Sequence, residues 1–356
     1  MHTPLEISNT PNCLPHPWHP SVVYVAEGWN GHRWWMAQAP FPPRSTPPFC
    51  NPKELPFEAS YCDRYELPCI HYSDDGRHWC PIPTNPIDDL DKADEEAHNY
   101  LSDPHLVLRN GELECYYRRT LLTDRQLQGN KTQLLRKRST DGVHWSEREV
   151  LADLRTEADQ TIWGEQIISP AVHWDGTLYR CWYVDRSSYL DHRQILLTTS
   201  PDGLTWLPYQ VLHIDMPEGI DPWHLDVQHY DDRYQMLLYD RWHLHWLESP
   251  DGIHFRYVSH VLSPTQYFAD FYSNGLYRAC SVKVNRDILI FFSAKNPQRT
   301  SIGLLRTTDR KHFTPVNGIT PLHYLHRYLL PQASWHNAKR FIKHTLKPIK
   351  RLIKRL

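Results

Sequence analysis

Several apolar stretches of this chain finish in arginine and aspartate: Arg118-Arg119, Asp185-Arg186, Asp240-Arg241-Trp242 and Lys295-Asn296. A guanidinium donates two parallel hydrogen bonds to a carboxylate or phosphate, and an aromatic face covers a sugar ring. Arg119, Arg186 and Arg241, with Trp223 or Trp242, therefore read as a surface for an acidic sugar. The competing reading makes Asp185-Arg186 and Asp240-Arg241 ion pairs between repeated units, because structural ion networks imitate sites. Carboxylates also stand before prolines, at Asp103-Pro104 and at Asp221-Pro222. Beyond Pro222, His224 and Asp226 alternate onto one face of a strand. His19, His105 and His224 read as structural groups or as hydrogen-bonding partners of a substrate rather than as metal ligands.

These groups must be positioned by a scaffold, and the chain repeats one. Ser200-Pro201-Asp202-Gly203-Leu204-Thr205-Trp206 has counterparts beginning at Ser73, Ser139 and Ser249, and a worn copy at Thr307. The pattern suits a type I turn, with Ser first, Pro pre-setting φ, Asp third and Gly fourth. Strand-like runs flank each copy, as Gln194 to Thr199 and Trp206 to Leu212 do here. The aromatic residue three places beyond the glycine folds back over the turn, so these Asp and Trp residues read as scaffold. Further hairpins are marked by Asn110-Gly111, Asp175-Gly176 and Asp231-Asp232. Each unit then reads strand, turn, strand, loop, strand, box, strand. Five such units predict an all-β chain folded as a five-bladed β-propeller.

Composition agrees. Fourteen Trp and twenty Tyr in a 356-residue chain that is 40% hydrophobic suit an aromatic-rich β protein and argue against disorder. The repeat overrides a length prior of about 150 residues per domain, since stacked units share one core. No apolar run reaches the ~18 residues of a membrane span, and no signal-peptide pattern opens the sequence. The eight cysteines lack metal-binding spacing and read as reduced, mostly buried thiols. Residues 1–18 form an entry segment, 19–320 the propeller, and 334–356 a basic amphipathic helix. That last segment carries Lys339, Arg340, Lys343, Lys347, Lys350, Arg351, Lys354 and Arg355 without an acid, while the remainder is acidic. Apolar residues recur there at helical steps, which predicts docking on an anionic membrane surface, peripheral at the cytoplasmic inner face. The acidic body opposes nucleic-acid binding. Pro40 to Glu58 is a long proline-rich insertion of the kind that carries function.

The blade plan and the Asp-Pro at a blade start resemble the five-bladed propellers of the arabinanase, xylosidase and invertase type of glycoside hydrolases. A branch of that superfamily is also resembled through His19-Pro20-Ser21-Val22-Val23-Tyr24, Asn85-Pro86-Ile87-Asp88 and Ser102-Asp103-Pro104-His105. The sialidase-type propeller, whose box has one more residue between Asp and Gly, fits less well. The resemblance implies three carboxylates from the first three blades, acting as base or nucleophile, orienting group and general acid. Asp103 occupies the orienting position. Blade one has His19 where an Asp is expected, and blade three has Ile168 where a Glu is expected. Glu165 substitutes only if the strand entry bends, and Asp221 adds a carboxylate from blade four. The resemblance thus implies a glycoside hydrolase-like protein acting on a glycan with Asp103, Glu165 and Asp221. Its site would be lined by His19, His105, Arg119, Asp185, Arg186, Trp223, His224, Asp240, Arg241 and Trp242. A central Ca²⁺ is implied by the resemblance only, without a ligand loop to support it. The altered triad keeps an alternative open, a non-catalytic glycan-binding or assembly protein of surface polysaccharide biosynthesis, held at the membrane by its basic tail.

Overall fold

In the Ser139 box the hydroxyl accepts the Gly142 N–H at 2.8 Å, and Asp141 Oδ1 accepts those of Val143 and His144 at 2.8 and 2.7 Å. The boxes at Ser73, Ser200, Ser249 and Thr307 repeat this pattern. The side chains thus satisfy backbone donors that the turn would otherwise leave open. Gly76, Gly142, Gly203 and Gly252 have φ between +70° and +79°. The glycine is therefore required by its left-handed backbone, a stronger demand than the fourth place of a type I turn makes. In the worn copy Arg310 takes that conformation instead. Trp79 and Trp145 donate their indole N–H back to the carbonyls of Gly76 and Gly142. The box is scaffold.

The computed structural model describes residues 2–8, 16–41, 66–97, 99–121, 130–186, 193–265, 270–296 and 299–324. The expected insertion is described only at its first two residues, and the expected helix at 334–356 lies outside the described residues. Five sheets form, one for each box. Blade one contains β2 (Ser21–Trp29), β3 (His32–Gln38), β4 (Cys69–Ser73) and β5 (His78–Pro81). Blade two contains β6 (Tyr100–Arg109), β7 (Glu112–Leu121), β8 (Lys131–Ser139) and β9 (Glu149–Asp153). Blade three runs through β10 (Ile168–Trp174), β11 (Tyr179–Asp185), β12 (Gln194–Ser200) and β13 (Gln210–Val211). Blade four has β15 (His224–Tyr230), β16 (Arg233–Tyr239), β17 (Leu244–Ser249) and β18 (His254–Leu262). Blade five has β19 (Leu276–Val284), β20 (Asp287–Lys295), β21 (Thr300–Thr307) and β22 (Thr314–Val316). Each blade is an antiparallel meander, and its first strand is innermost; β2, β6, β10, β15 and β19 touch one another in ring order around the axis.

Two blades exceed the four strands expected. The short strands β1 (Glu6–Ile7) and β14 (His213–Asp215) lie parallel to β5 and β18, on the outer edges of blades one and four. The segment before β2 also sews the ring shut. Leu5 N–H donates to Ile302 of blade five, Ile319 N–H donates to Pro4, and His2 packs against Phe271 and Phe292. Between successive blades lie five apolar clusters, one per interface, holding such side chains as Trp35, Trp182, Trp246 and Phe291. Burying each such ring contributes about 1.5–3 kcal/mol. Cys69, Cys115, Cys181 and Cys280 are buried free thiols and Cys80 is an exposed one. Among the described residues no helix is long and apolar enough to cross a membrane.

Candidate functional site

The innermost strands do more than pack. His19, Asp103 and Ser169 each precede a proline, and each has a left-handed backbone, with φ of 55°, 55° and 56°. Such a conformation costs a non-glycine residue on the order of 1–3 kcal/mol, and it collects where a side chain must be aimed. In β6, β10 and β19 the pairing slips at this level, between Ser102 and His105, Ile168 and Ala171, and Leu276 and Ala279. A bulge of this kind re-aims one side chain away from the pleat. His19, Asp103 and Ser169 therefore converge on the axis, joined by His224 at the start of β15 and Tyr277 in the bulge of β19. One residue arrives from every blade.

Asp103 is the hub, with none of its surface exposed. Its Oδ1 lies 2.5 Å from His19 Nδ1 and 3.5 Å from His224 Nδ1. Its Oδ2 accepts from Arg118 Nε at 2.6 Å and from the Ser169 backbone N–H at 3.0 Å. Burial alone would push the carboxyl up, but Arg118, His224 and His19 together hold it well below the usual carboxylate range. An ionised carboxylate only accepts, so the proton in its bond to His19 belongs to Nδ1, and Nε2 is left with its lone pair. Among the described residues that Nε2 has no hydrogen-bond partner, and it lies 3.5 Å from Glu66 Oε1. Burial, and after it the Asp103 charge, push the Glu66 carboxyl up to about 8, although Arg118 acts against them. Two carboxyls therefore flank one imidazole in opposite protonation states at neutral pH. Burial also keeps His19 and His224 neutral, and among the described residues both ring nitrogens of His224 lack a hydrogen-bond partner.

Directly beneath, Arg278 is wholly buried and reaches from blade five to Pro104 O at 2.9 Å and Pro170 O at 3.3 Å. Those carbonyls follow Asp103 and Ser169, so one side chain ties both bulges. His105 belongs to this lower layer: Nε2 bonds Val172 O at 2.8 Å, and Nδ1 lies 3.6 Å from Asp226, whose carboxyl burial raises to about 6. Above, Tyr277 touches His224 with ring centroids 4.3 Å apart and accepts the Trp223 indole N–H at 2.8 Å.

Of the residues expected to do chemistry, the axis gathers Asp103, His19 and His224. Glu165 and Asp221 have other surroundings. A short helix (Glu157–Trp163), capped by Thr156 and ended by Gly164, precedes Glu165, so the chain enters β10 from a helix rather than along a bent strand. There the Asp185 carboxylate, raised to about 6 by burial, accepts the backbone N–H groups of Gln166 and Glu165. Asp221 lies outside β15 and pairs with Arg193 and Arg241. Arg119 is taken by Asp94 and Gln133, away from the other expected arginines. Asp240 accepts the N–H groups of Trp242 and His243 and holds a turn, not an ion pair between blades. Arg186 and Trp223 stay together, the guanidinium 5.6 Å from the ring, while Trp242 and Arg241 are exposed.

Sequence reasoning missed Glu66, Ser169, Tyr277 and Arg278. Ser169-Pro170 repeats the motif of His19-Pro20 and Asp103-Pro104 and was there to be found; Glu66 carried no periodic signal. For Ca²⁺, which wants six to eight oxygen ligands, the axis is a poor match. It offers two imidazoles, one carboxylate already saturated by donors, the protonated carboxyl of Glu66, and the guanidiniums of Arg118 and Arg278. Among the described residues no group of three or more His, Cys, Asp or Glu is arranged to hold a metal ion.

The fold is that of the five-bladed propeller hydrolases. An N-acetylgalactosamine deacetylase from F. plautii, solved with blood group B trisaccharide, superposes with a TM-score of 0.64 at 19% identity, over 86% of this chain and 94% of that one. A GH43 β-xylosidase/α-arabinofuranosidase from a compost microbial metagenome gives 0.57 at 12% identity, over 90% and 99%. In sequence, the A type blood N-acetyl-α-D-galactosamine deacetylase of Flavonifractor plautii is 25% identical over 293 residues, 69% of this chain. The chain spans 35% of the length of that curated relative. No protein-family model matches.

Proposed function

We propose that the chain is a carbohydrate-active hydrolase working on the axis of the propeller. One observation carries this reading: Asp103, ionised, and Glu66, protonated, stand on opposite nitrogens of His19. Paired groups whose environments drive their protonation apart make an acid and a base. Asp103 orients His19 and supports the positive charge that forms on it. Nε2 takes a proton from water, and Glu66 supplies one to the departing atom. Asp103 thus keeps the orienting role that the resemblance implies, while an imidazole replaces the carboxylate of blade one. The test is release of reducing sugar from an oligosaccharide panel by the whole chain and by Glu66→Gln. Turnover in the first and its loss in the second is the expected result; binding without turnover in both leaves the non-catalytic glycan-binding alternative.

A second reading, hydrolysis of an N-acyl group on an amino sugar, is favoured by the histidines in place of carboxylates and by the named activity of the relative in sequence. Acetate release without new reducing ends would select it.

For residues 334–356 we infer docking on an anionic membrane at the cytoplasmic face, and the support is the spacing of Ile342, Leu346, Ile349 and Ile353 against eight basic residues. Liposomes containing anionic lipid should sediment the whole chain but not one ending at Ala333. Equal pelleting would remove the idea.

A further inference from the structure

Among the described residues several blade arginines have a carboxylate to which no second arginine is paired: Arg148 has Asp88, Arg155 has Asp153, Arg180 has Asp175 and Arg256 has Glu248. The rim between blades three and four breaks that pattern. Arg193 and Arg241 both address Asp221, the second at 3.6 Å. Arg193 lies 4.2 Å and Arg186 5.6 Å from the Trp223 ring. Among the described residues two guanidiniums thus share one carboxylate, and a third, that of Arg186, stands over the same indole. Arg193 is mostly buried, its Nε without a hydrogen-bond partner among the described residues. Burial, and then Arg186 and Arg241, weaken its hold on its proton in spite of Asp221. Like charges held together at a half-buried site are unfavourable until an anion joins them.

The cluster adjoins the hydrolytic centre. Trp223 donates to Tyr277, and Tyr277 packs on His224 and on His19, its ring centroid 4.3 and 5.2 Å from theirs. A sugar at the axis would have its neighbouring residue within reach of these groups. We propose that Arg186, Arg193 and Arg241 with Trp223 form a subsite for a sugar residue bearing a carboxylate or a phosphate ester, so that the substrate is an acidic glycan. This rests on the hydrolase reading for the position of the scissile bond, though the anion chemistry is independent of it. Guanidinium forks bind either group bidentately, and the aromatic face covers the ring.

The experiment separates the two claims by reading binding in the full-length Glu66→Gln protein. Calorimetric titrations would compare a neutral oligosaccharide with a uronate-containing and a sugar-phosphate-containing counterpart of equal length. At least one acidic ligand should bind about tenfold or more tightly than the neutral one, weakening with added salt. In the further variant Arg186→Ala/Arg241→Ala that preference should fall to about equality, with the thermal midpoint of the protein unchanged. The preferred acidic ligand assigns the anion. Equal or absent binding of all three, or a preference that survives the double substitution, overturns the subsite. Acidic preference in a protein whose parent form cleaves nothing overturns the hydrolase reading and leaves the subsite standing.

Discussion

Asp103 shows how a single buried charge governs a site. It is fully enclosed, which disfavours ionisation, yet Arg118, two imidazoles and a backbone N–H overcome that cost. Asp103→Asn keeps the shape but removes the charge that fixes the His19 tautomer. A loss of about 10³–10⁴ in kcat is expected, by analogy with amide replacements in other Asp-His pairs. The circular dichroism spectrum should be unchanged; a variant with near-normal turnover would show that His19 is not the base. Glu66 makes the complementary case. Its carboxyl is raised to about 8, so it holds its proton through neutrality, and activity should decline only as pH rises through about 8. In Glu66→Gln that alkaline limb should vanish, along with about 10²–10⁴ of the rate. A pH–rate profile of both proteins is the measurement, and an unchanged limb would assign the ionisation elsewhere.

At the scale of the element, the box glycines join local turn and blade packing. A Cβ on Gly142 would stand 2.4 Å from the ring of Trp35 in blade one, at a φ of +79°. Gly111, at φ +78° in a hairpin turn, would meet nothing within 4 Å. Both substitutions by alanine carry the left-handed backbone cost of roughly 1–2 kcal/mol. Gly142→Ala must also displace a buried indole, adding on the order of 1–3 kcal/mol of overpacking. Urea unfolding should therefore rank Gly142→Ala as clearly less stable than Gly111→Ala. Equal losses would mean that the interface between blades one and two gives way freely. The same logic explains why the bulges persist: Arg278 bridges the carbonyls behind Asp103 and Ser169, so strain in two strands is held by one residue of a third.

For the whole molecule, histidine burial sets the response to acid. His2, His16, His71 and His173 are lowered to about 4 and His105 to about 3, in each case first by burial. Between these values and the ordinary 6.5 the unfolded chain binds protons that the folded chain refuses. Their contribution is complete above pH 6.5 and is lost as pH falls toward 4, each site adding a slope of up to ~1.4 kcal/mol per pH unit. Glu66 has the opposite sign: the folded state holds its proton, so its contribution is full below 4.5 and is lost as pH rises to about 8. Asp185 and Asp226, raised to about 6 by burial, share the sign of Glu66, while His19 and His224 are lowered like the other five, so seven histidines outweigh three carboxyls. Urea midpoints at pH 7, 6 and 5 should fall steeply on acidification, and a flat series would mean that these imidazoles are protonated in the native state.

The chain's own pattern determined the blades. Box and hairpin rest on bonds spanning two or three residues, from Ser139 to Gly142 or from Asp141 to His144, so the amino acids alone specify them. Five repeats of such a unit leave few ways to bury the apolar faces, and the propeller was legible. Asp103 was legible too, through its place before Pro104. Only the tertiary structure decided what Asp103 meets. Its bond to His19 joins residues 84 positions apart, and Ser169 lies 66 positions beyond it, distances over which no periodicity carries information. Glu66 marks the limit, since it follows a long insertion and belongs to no strand. Its chemistry exists only because ring closure removes water from it and sets the Asp103 charge nearby, and desolvation is a property of the assembled fold rather than of any segment.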